Sequence, residues 1–205
     1  MIYKITERDV EILKFINEFG YCELKQLMRY FKLKQSNAYK IIKRLCDHQL
    51  IIHERIFIHK PGVYRLSKSG AEYTDLPALE KIPITQYQHQ LKIIDVFMKL
   101  KSLYPGVHWI SERQLLRDRS QADVIKKKHI SDGLLMFPDN KKIAIEVELT
   151  MKGKNRLEKI FKGYAGQFDL TEIWYFCPPQ FMVSLQKAAE KRAFIKIINL
   201  TEFLT

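Results

Sequence analysis

Between residues 12 and 19 the apolar side chains return at helical intervals. Ile12, Leu13, Ile16 and Phe19 fall on one side, which predicts a helix with one buried face. Thr6-Glu7-Arg8-Asp9 precedes it, a capping hydroxyl followed three residues on by an acid. Gly20 ends it. A second helix is expected over residues 23–30, on Leu24, Leu27 and Met28. A third is expected over 36–48, with Ala38, Ile41, Ile42, Leu45 and Cys46 as its core face. Its opposite face carries Asn37, Lys40, Lys43 and Arg44. The segment "LIIHERIFIHKPGVYRLSKSG" then predicts two strands, 51–59 and 63–66, joined by a turn at Lys60-Pro61-Gly62.

Residues 76–86, "LPALEKIPITQ", hold two prolines and no clear period, as a linker does. This divides the chain into 1–75, a linker of 76–86, and 87–205. After the linker, Leu91, Ile94, Val96, Phe97, Met98 and Leu100 mark an apolar helix. His89 near its start reads as a packing or capping residue.

Strand patterns follow at "VHWISERQL", "DGLLMF" (132–137) and "KKIAIEVEL" (141–149). Pro138-Asp139-Asn140 makes a hairpin of the last two. A basic amphipathic helix is expected over 155–168, with Leu157, Ile160, Phe161, Tyr164 and Phe168 inward. "EIWYFC" is an apolar strand, "QFMVSLQKAAEKR" a helix and "FIKIINL" a closing strand. The expected order is helix, three strands, helix, strand, helix, strand. That suits a mixed sheet covered by helices on both sides.

The strand over 141–149 raises a chemical question. Ile143, Ile145, Val147 and Leu149 share one face; Ala144, Glu146, Glu148 and Thr150 share the other. The glutamate Cα atoms lie about 6.5–7 Å apart on that face. Either this is the solvated side of an amphipathic strand, or the carboxylates serve a cation. Asp132-Gly133 opens the neighbouring strand, and residues 152 to 162 hold five basic side chains.

Composition narrows the partners. The chain has 205 residues, 46% of them apolar, and a formal net charge of +12. The basic excess favours polyanions, nucleic acid first. Cys22, Cys46 and Cys177 are scattered, so neither a disulfide framework nor a zinc site is suggested. Free thiols fit a reducing cytoplasm. Acids at positions 9 and 11 argue against a signal peptide, and no stretch approaches a membrane span.

Three helices followed by a hairpin match the winged helix-turn-helix plan. Leu45, His48, Leu50, Ile51, Phe57, Gly62 and "YRLS" (64–67) with Gly70 resemble the end of that domain in many bacterial regulators and plasmid proteins. A third helix laid in the major groove presents its N-terminal end and outer face. Gln35, Ser36, Asn37 and Lys40 are then the candidates to reach bases. Lys34, Lys43 and Arg44 are candidates for phosphates, and Lys60 for the backbone at the wing tip.

The order of elements after residue 87 resembles the restriction-endonuclease-like core, the PD-(D/E)xK superfamily. The resemblance implies Asp132 as the first acid, Glu146 as the second and Glu112 as an assisting acid. Glu148 stands where the family has lysine, and Lys152 or Lys154 is a candidate substitute. The whole run, with "SE", "DG" and "EVELT.K...RL.KI...Y", resembles the replication-relaxation family of mobile elements and the MobC class of relaxases.

That resemblance implies Asp132, Glu146 and Glu148 as ligands of Mg²⁺ or Mn²⁺. It implies Lys152, Lys154, Arg156 and Lys159 along the DNA groove, and Tyr164 as a core residue before a nucleophile. The expected activity is site-specific nicking of double-stranded DNA in transfer or replication of a plasmid, integrative element or phage. Relaxosome or replication proteins and a second copy of the chain are expected partners, in the bacterial cytoplasm. The rival reading is a transcriptional regulator or relaxosome accessory protein that uses a degenerate nuclease-like domain for dimerisation or DNA clamping. A phage adaptor is a third reading, weakened by the charge.

Overall fold

In a computed structural model, which describes residues 4–121 and 129–205, the chain is α+β, with nine helices among the described residues. It divides into two compact units, Met1–Ile94 and Asp95–Thr205.

The first unit begins with α1 (Glu7–Phe19). The Thr6 hydroxyl accepts from the Asp9 N–H, and the Asp9 carboxylate accepts from the Thr6 N–H. Two of the helix's orphan donors are thus satisfied. Gly20, at φ 81°, turns the chain into β1 (Tyr21–Glu23). Then come α2 (Leu24–Tyr30) and α3 (Gln35–Asp47), followed by β2 (Ile51–Glu54), β3 (Val63–Leu66) and the short α4 (Lys68–Ala71). The sheet order is β1-β3-β2, all antiparallel. Ile12, Ile16, Leu27, Ala38, Ile42, Leu45, Val63 and Leu66 build the core beneath it.

Two expectations change here. The three-residue β1 carries no period of its own and exists because β3 offers it an edge, Cys22 opposite Tyr64. The strand expected over 51–59 stops at Glu54, because β3 ends opposite it at Val63. Beyond that point there is no partner, and the Lys60 N–H closes a turn on the Phe57 carbonyl at 3.3 Å.

The segment 76–86 is not a free tether. Leu76 and Ile82 are buried. Asn17 Nδ2 donates to the Leu76 carbonyl, and Arg65 Nη1 to the Leu79 carbonyl. Tyr87 stacks on Tyr21 with ring centroids 5.8 Å apart. Ile84–Gln86 forms a 3-10 turn that leads into α5 (Tyr87–Leu103), and the two units divide within α5.

The second unit is built on β4 (His108–Ser111), β5 (Gly133–Met136), β6 (Lys142–Val147), β7 (Glu172–Cys177) and β8 (Ile195–Asn199), side by side in that order. β4, β5 and β6 run antiparallel; β6, β7 and β8 run parallel. The parallel pairs are joined through α7 (Lys154–Ala165) and α8 (Pro179–Ala189). Both helices pack on one face, where Leu157, Phe161 and Leu185 meet Ala144, Ile173 and Tyr175. The opposite face is closed by Phe97 of α5 against Trp109 and by Phe203 of α9 (Leu200–Leu204) against Phe176.

Three further corrections belong to this unit. The strand expected to run into Glu112 ends at Ser111, where α6 (Glu112–Gln121) begins; the Ser111 hydroxyl accepts from the Gln114 N–H. The closing strand passes into α9 at Leu200, because Asn199 caps a new helix. The helix expected to reach 168 stops at Ala165, and Phe168, expected inward, is 95% exposed.

Candidate functional site

The face of β6 in question is not solvated. Glu146 and Glu148 are each only 3% exposed. They lie on the side that carries Ala144, under α7. A carboxylate in such a place requires hydrogen bonds or a counter-charge.

The sheet brings acids into line. Gly133 pairs with Ile145 and Ser111 with Gly133. One step along, the Glu112 N–H donates to the Asp132 carbonyl at 3.3 Å, and Asp132 Oδ2 accepts from the Val147 N–H at 2.7 Å. Glu146 pairs with Tyr175. Glu146 and Tyr175 are thus neighbours at the usual strand spacing of about 4.8 Å, with Asp132 just before β5 beside them and Glu112, at the start of α6, next to Asp132. Side chains at paired positions share a face. Burial pushes the Glu146 carboxyl above the ordinary range, against the hydrogen bond to His129 and with the Asp132 charge adding to the rise.

Glu146 Oε1 is met from two directions. His129 Nε2 lies 2.8 Å away, and the Tyr164 hydroxyl donates to the same oxygen. The Tyr164 ring packs with Phe161 and Tyr175 in the apolar cluster under α7. Burial first, then Glu146, push its phenol well above the usual value, so it stays a protonated donor.

Glu148 lies one residue past the end of β6, held by its N–H on the Phe176 carbonyl. Its carboxylate pairs with the ammonium of Lys152, four residues on. A lysine therefore does reach the end of β6, through the turn before α7. Lys154, Arg156 and Lys159 line the exposed side of α7, whose other side buries Leu157, Ile160 and Phe161.

The donor set suits a hard divalent cation. Mg²⁺ takes oxygen ligands and commonly only one or two protein carboxylates; Asp132, immediately before β5, and Glu146 of β6 supply two. The Tyr175 hydroxyl, buried and without a hydrogen-bond partner among the described residues, adds an unused polar atom beside them. Among the described residues, no group of three or more His, Cys, Asp and Glu side chains is gathered as a ready metal cluster. The protein's own donors take the oxygens: Tyr164 and His129 at Glu146, Lys152 at Glu148, and the Val147 N–H at Asp132.

In the first unit, Lys34, Gln35, Ser36, Asn37, Lys40, Lys43 and Arg44 are all exposed along α3. They are not equivalent. Lys43 pairs with Asp47 on the helix surface at 2.7 Å. Arg44 reaches back to Asp9, a residue with no exposed surface, and so ties α3 to the start of α1. Lys60 lies in the turn after β2 with its ammonium 4.9 Å from the centre of the Phe57 ring.

Sequence reasoning overlooked three residues. Tyr39, 53% exposed, stands on α3 among the candidate base readers. His129 and Tyr175 carry no local signal. His129 follows a run of lysines, and Tyr175 sits in an apolar strand; sheet register brings Tyr175 to Glu146, and the segment leading into β5 brings His129 there.

No family model matches the chain, and no curated protein matches it by sequence. None of the described helices is long and apolar enough to cross a membrane.

Proposed function

We propose that the chain is a DNA-binding protein of a mobile genetic element, with a winged helix in the first unit and a PD-(D/E)xK nuclease-like core in the second. On this reading it resembles the replication-relaxation family and MobC-class relaxases, and it nicks double-stranded DNA with Mg²⁺ or Mn²⁺. The observation that carries the reading is the pair of carboxylates Asp132, just before β5, and Glu146, on β6, with the Lys152 ammonium at the end of β6. Phosphodiester hydrolysis requires these parts together. Asp132 and Glu146 would hold the cation, which supplies Lewis acidity and an activated water. Glu112 assists from beside Asp132. Lys152 offers a cation for charge growing on the phosphate. The exposed Lys154, Arg156 and Lys159 suit contact with the DNA backbone.

In the first unit, α3 enters the major groove. Gln35, Ser36, Asn37 and Lys40 read bases, and Lys34 and Lys43 hold phosphates. Other relaxosome or replication proteins, and a second copy of the chain, are the partners this reading implies.

The test is a nicking assay on supercoiled plasmid carrying the gene's own genomic neighbourhood, with and without Mn²⁺. Metal-dependent nicking that is lost in Glu146→Ala supports the reading. Absence of nicking together with a tight shift of a promoter fragment would sink it. One observation favours the non-enzymatic reading, a regulator or accessory protein: Glu148 and Lys152 already neutralise each other. That reading expects Glu146→Ala to leave DNA affinity unchanged or improved.

A further inference from the structure

We infer that Tyr175 is a positioning residue of the carboxylate site, its hydroxyl reserved for an oxygen ligand held between Asp132, Glu146 and Glu148. The inference rests on the cation-site reading above and adds to it a residue outside the carboxylate set. Tyr175 sits at the centre of the sheet, paired with Glu146 on one side and Ile197 on the other. Its residue surface is fully buried, and its Oη finds no hydrogen-bond partner among the described residues.

A buried phenol left without a partner carries a desolvation cost that no hydrogen bond offsets. A phenylalanine would fill the same space without that cost. The hydroxyl's surroundings suggest why it is kept. After burial itself, the charges acting on it are Glu146, Glu148 and Asp132, in that order, and all hold its proton on. It is therefore a fixed O–H donor facing three acids, each of which already accepts from other donors of the protein. A water or hydroxide bound beside the carboxylates has acceptor lone pairs that Tyr175 can meet. Tyr164 is the contrasting case: the same residue type on the same face, but committed to Glu146.

The test uses the full chain and Mn²⁺ as the probe. Mn²⁺ binding is followed by electron paramagnetic resonance, and thermal unfolding by circular dichroism without added cation. Tyr175→Phe is expected to weaken Mn²⁺ binding about three- to tenfold, while its unfolding temperature without cation is unchanged or higher. Tyr164→Phe provides the comparison: it removes one of the two donors to a buried carboxylate, so its unfolding temperature without cation falls. Unchanged Mn²⁺ affinity in Tyr175→Phe overturns the inference. If wild type binds Mn²⁺ and Glu146→Gln abolishes binding, the cation site itself survives that result. A lower unfolding temperature with unchanged affinity assigns Tyr175 a packing role and also overturns the inference. If wild type binds no Mn²⁺, the inference falls together with the site.

Discussion

Gly133 has no room for a methyl group. A Cβ there would lie 2.1 Å from Cζ2 of the Trp109 ring. The glycine beside Asp132 is thus a requirement of close packing under the indole. Gly133→Ala is expected to cost about 1–3 kcal/mol by overpacking, read as a lower urea midpoint. Arg44 and Lys43 separate along similar lines. Asp9 is buried and Arg44 is its cation, so Arg44→Ala should cost about 1–3 kcal/mol of stability. Lys43 is exposed and its pair with Asp47 is superficial, so Lys43→Ala should cost under about 0.5 kcal/mol. Glu172 is a third case. Lys196, Trp174 and Lys141 all donate to it, Lys196 with the largest effect, and they hold its carboxyl down at about 2, below the usual 4.5. The unfolded chain takes up this proton first as pH falls. The stabilisation is therefore whole above about pH 4.5 and is lost as pH drops towards about 2. Glu172→Gln should flatten that part of the stability–pH curve, measured by denaturant titration at successive pH values.

At the scale of elements, α3 and α7 show how far a helical period can be trusted. The core side of each was legible: Ala38, Ile42 and Leu45 on α3, and Leu157, Ile160, Phe161 and Tyr164 on α7, are buried. The ends were less legible. Phe168 continued the apolar spacing, but the helix had already stopped and left the ring in solvent. The short β1 and the start of α6 were invisible, because one depends on an edge of β3 and the other on a serine cap. On the DNA-binding reading, α3 carries its own test. Asn37→Ala should relax sequence preference, while Lys43→Ala and Asn37→Ala should differ in salt dependence. Loss of a phosphate contact such as Lys43 lowers the salt slope by about 1 and weakens all sequences alike, measured by fluorescence anisotropy over a salt series.

At the scale of the whole molecule, the segment over 76–86 behaves as part of the first unit. Leu76, Ile82 and Tyr87 are buried there, and Asn17 and Arg65 bind its carbonyls. A fragment ending at residue 94 should therefore be more stable than one ending at residue 75, by about 2–5 kcal/mol, as judged by thermal and urea unfolding. Two prolines and a missing period are compatible with a tether, but they are equally compatible with an irregular strap held by side chains from elsewhere. Only the positions of Asn17 and Arg65 distinguish them.

The sequence by itself determined which residues face inward on each long helix and strand, because that pattern is local and repeats every 3.6 or 2 residues. It also determined that acids stand at 132, 146 and 148 and that the charge is strongly positive. It left open whether the glutamates of β6 were wet or buried. The tertiary structure decided that, because α7 covers their face of the sheet. It also brought Lys152 back to Glu148, and His129, Tyr164 and Tyr175 to Glu146. Those meetings join residues up to 43 positions apart, Tyr175 against Asp132. Strand register sets the meeting of Tyr175 with Glu146, and the packing of α7 sets that of Tyr164; no local period encodes either.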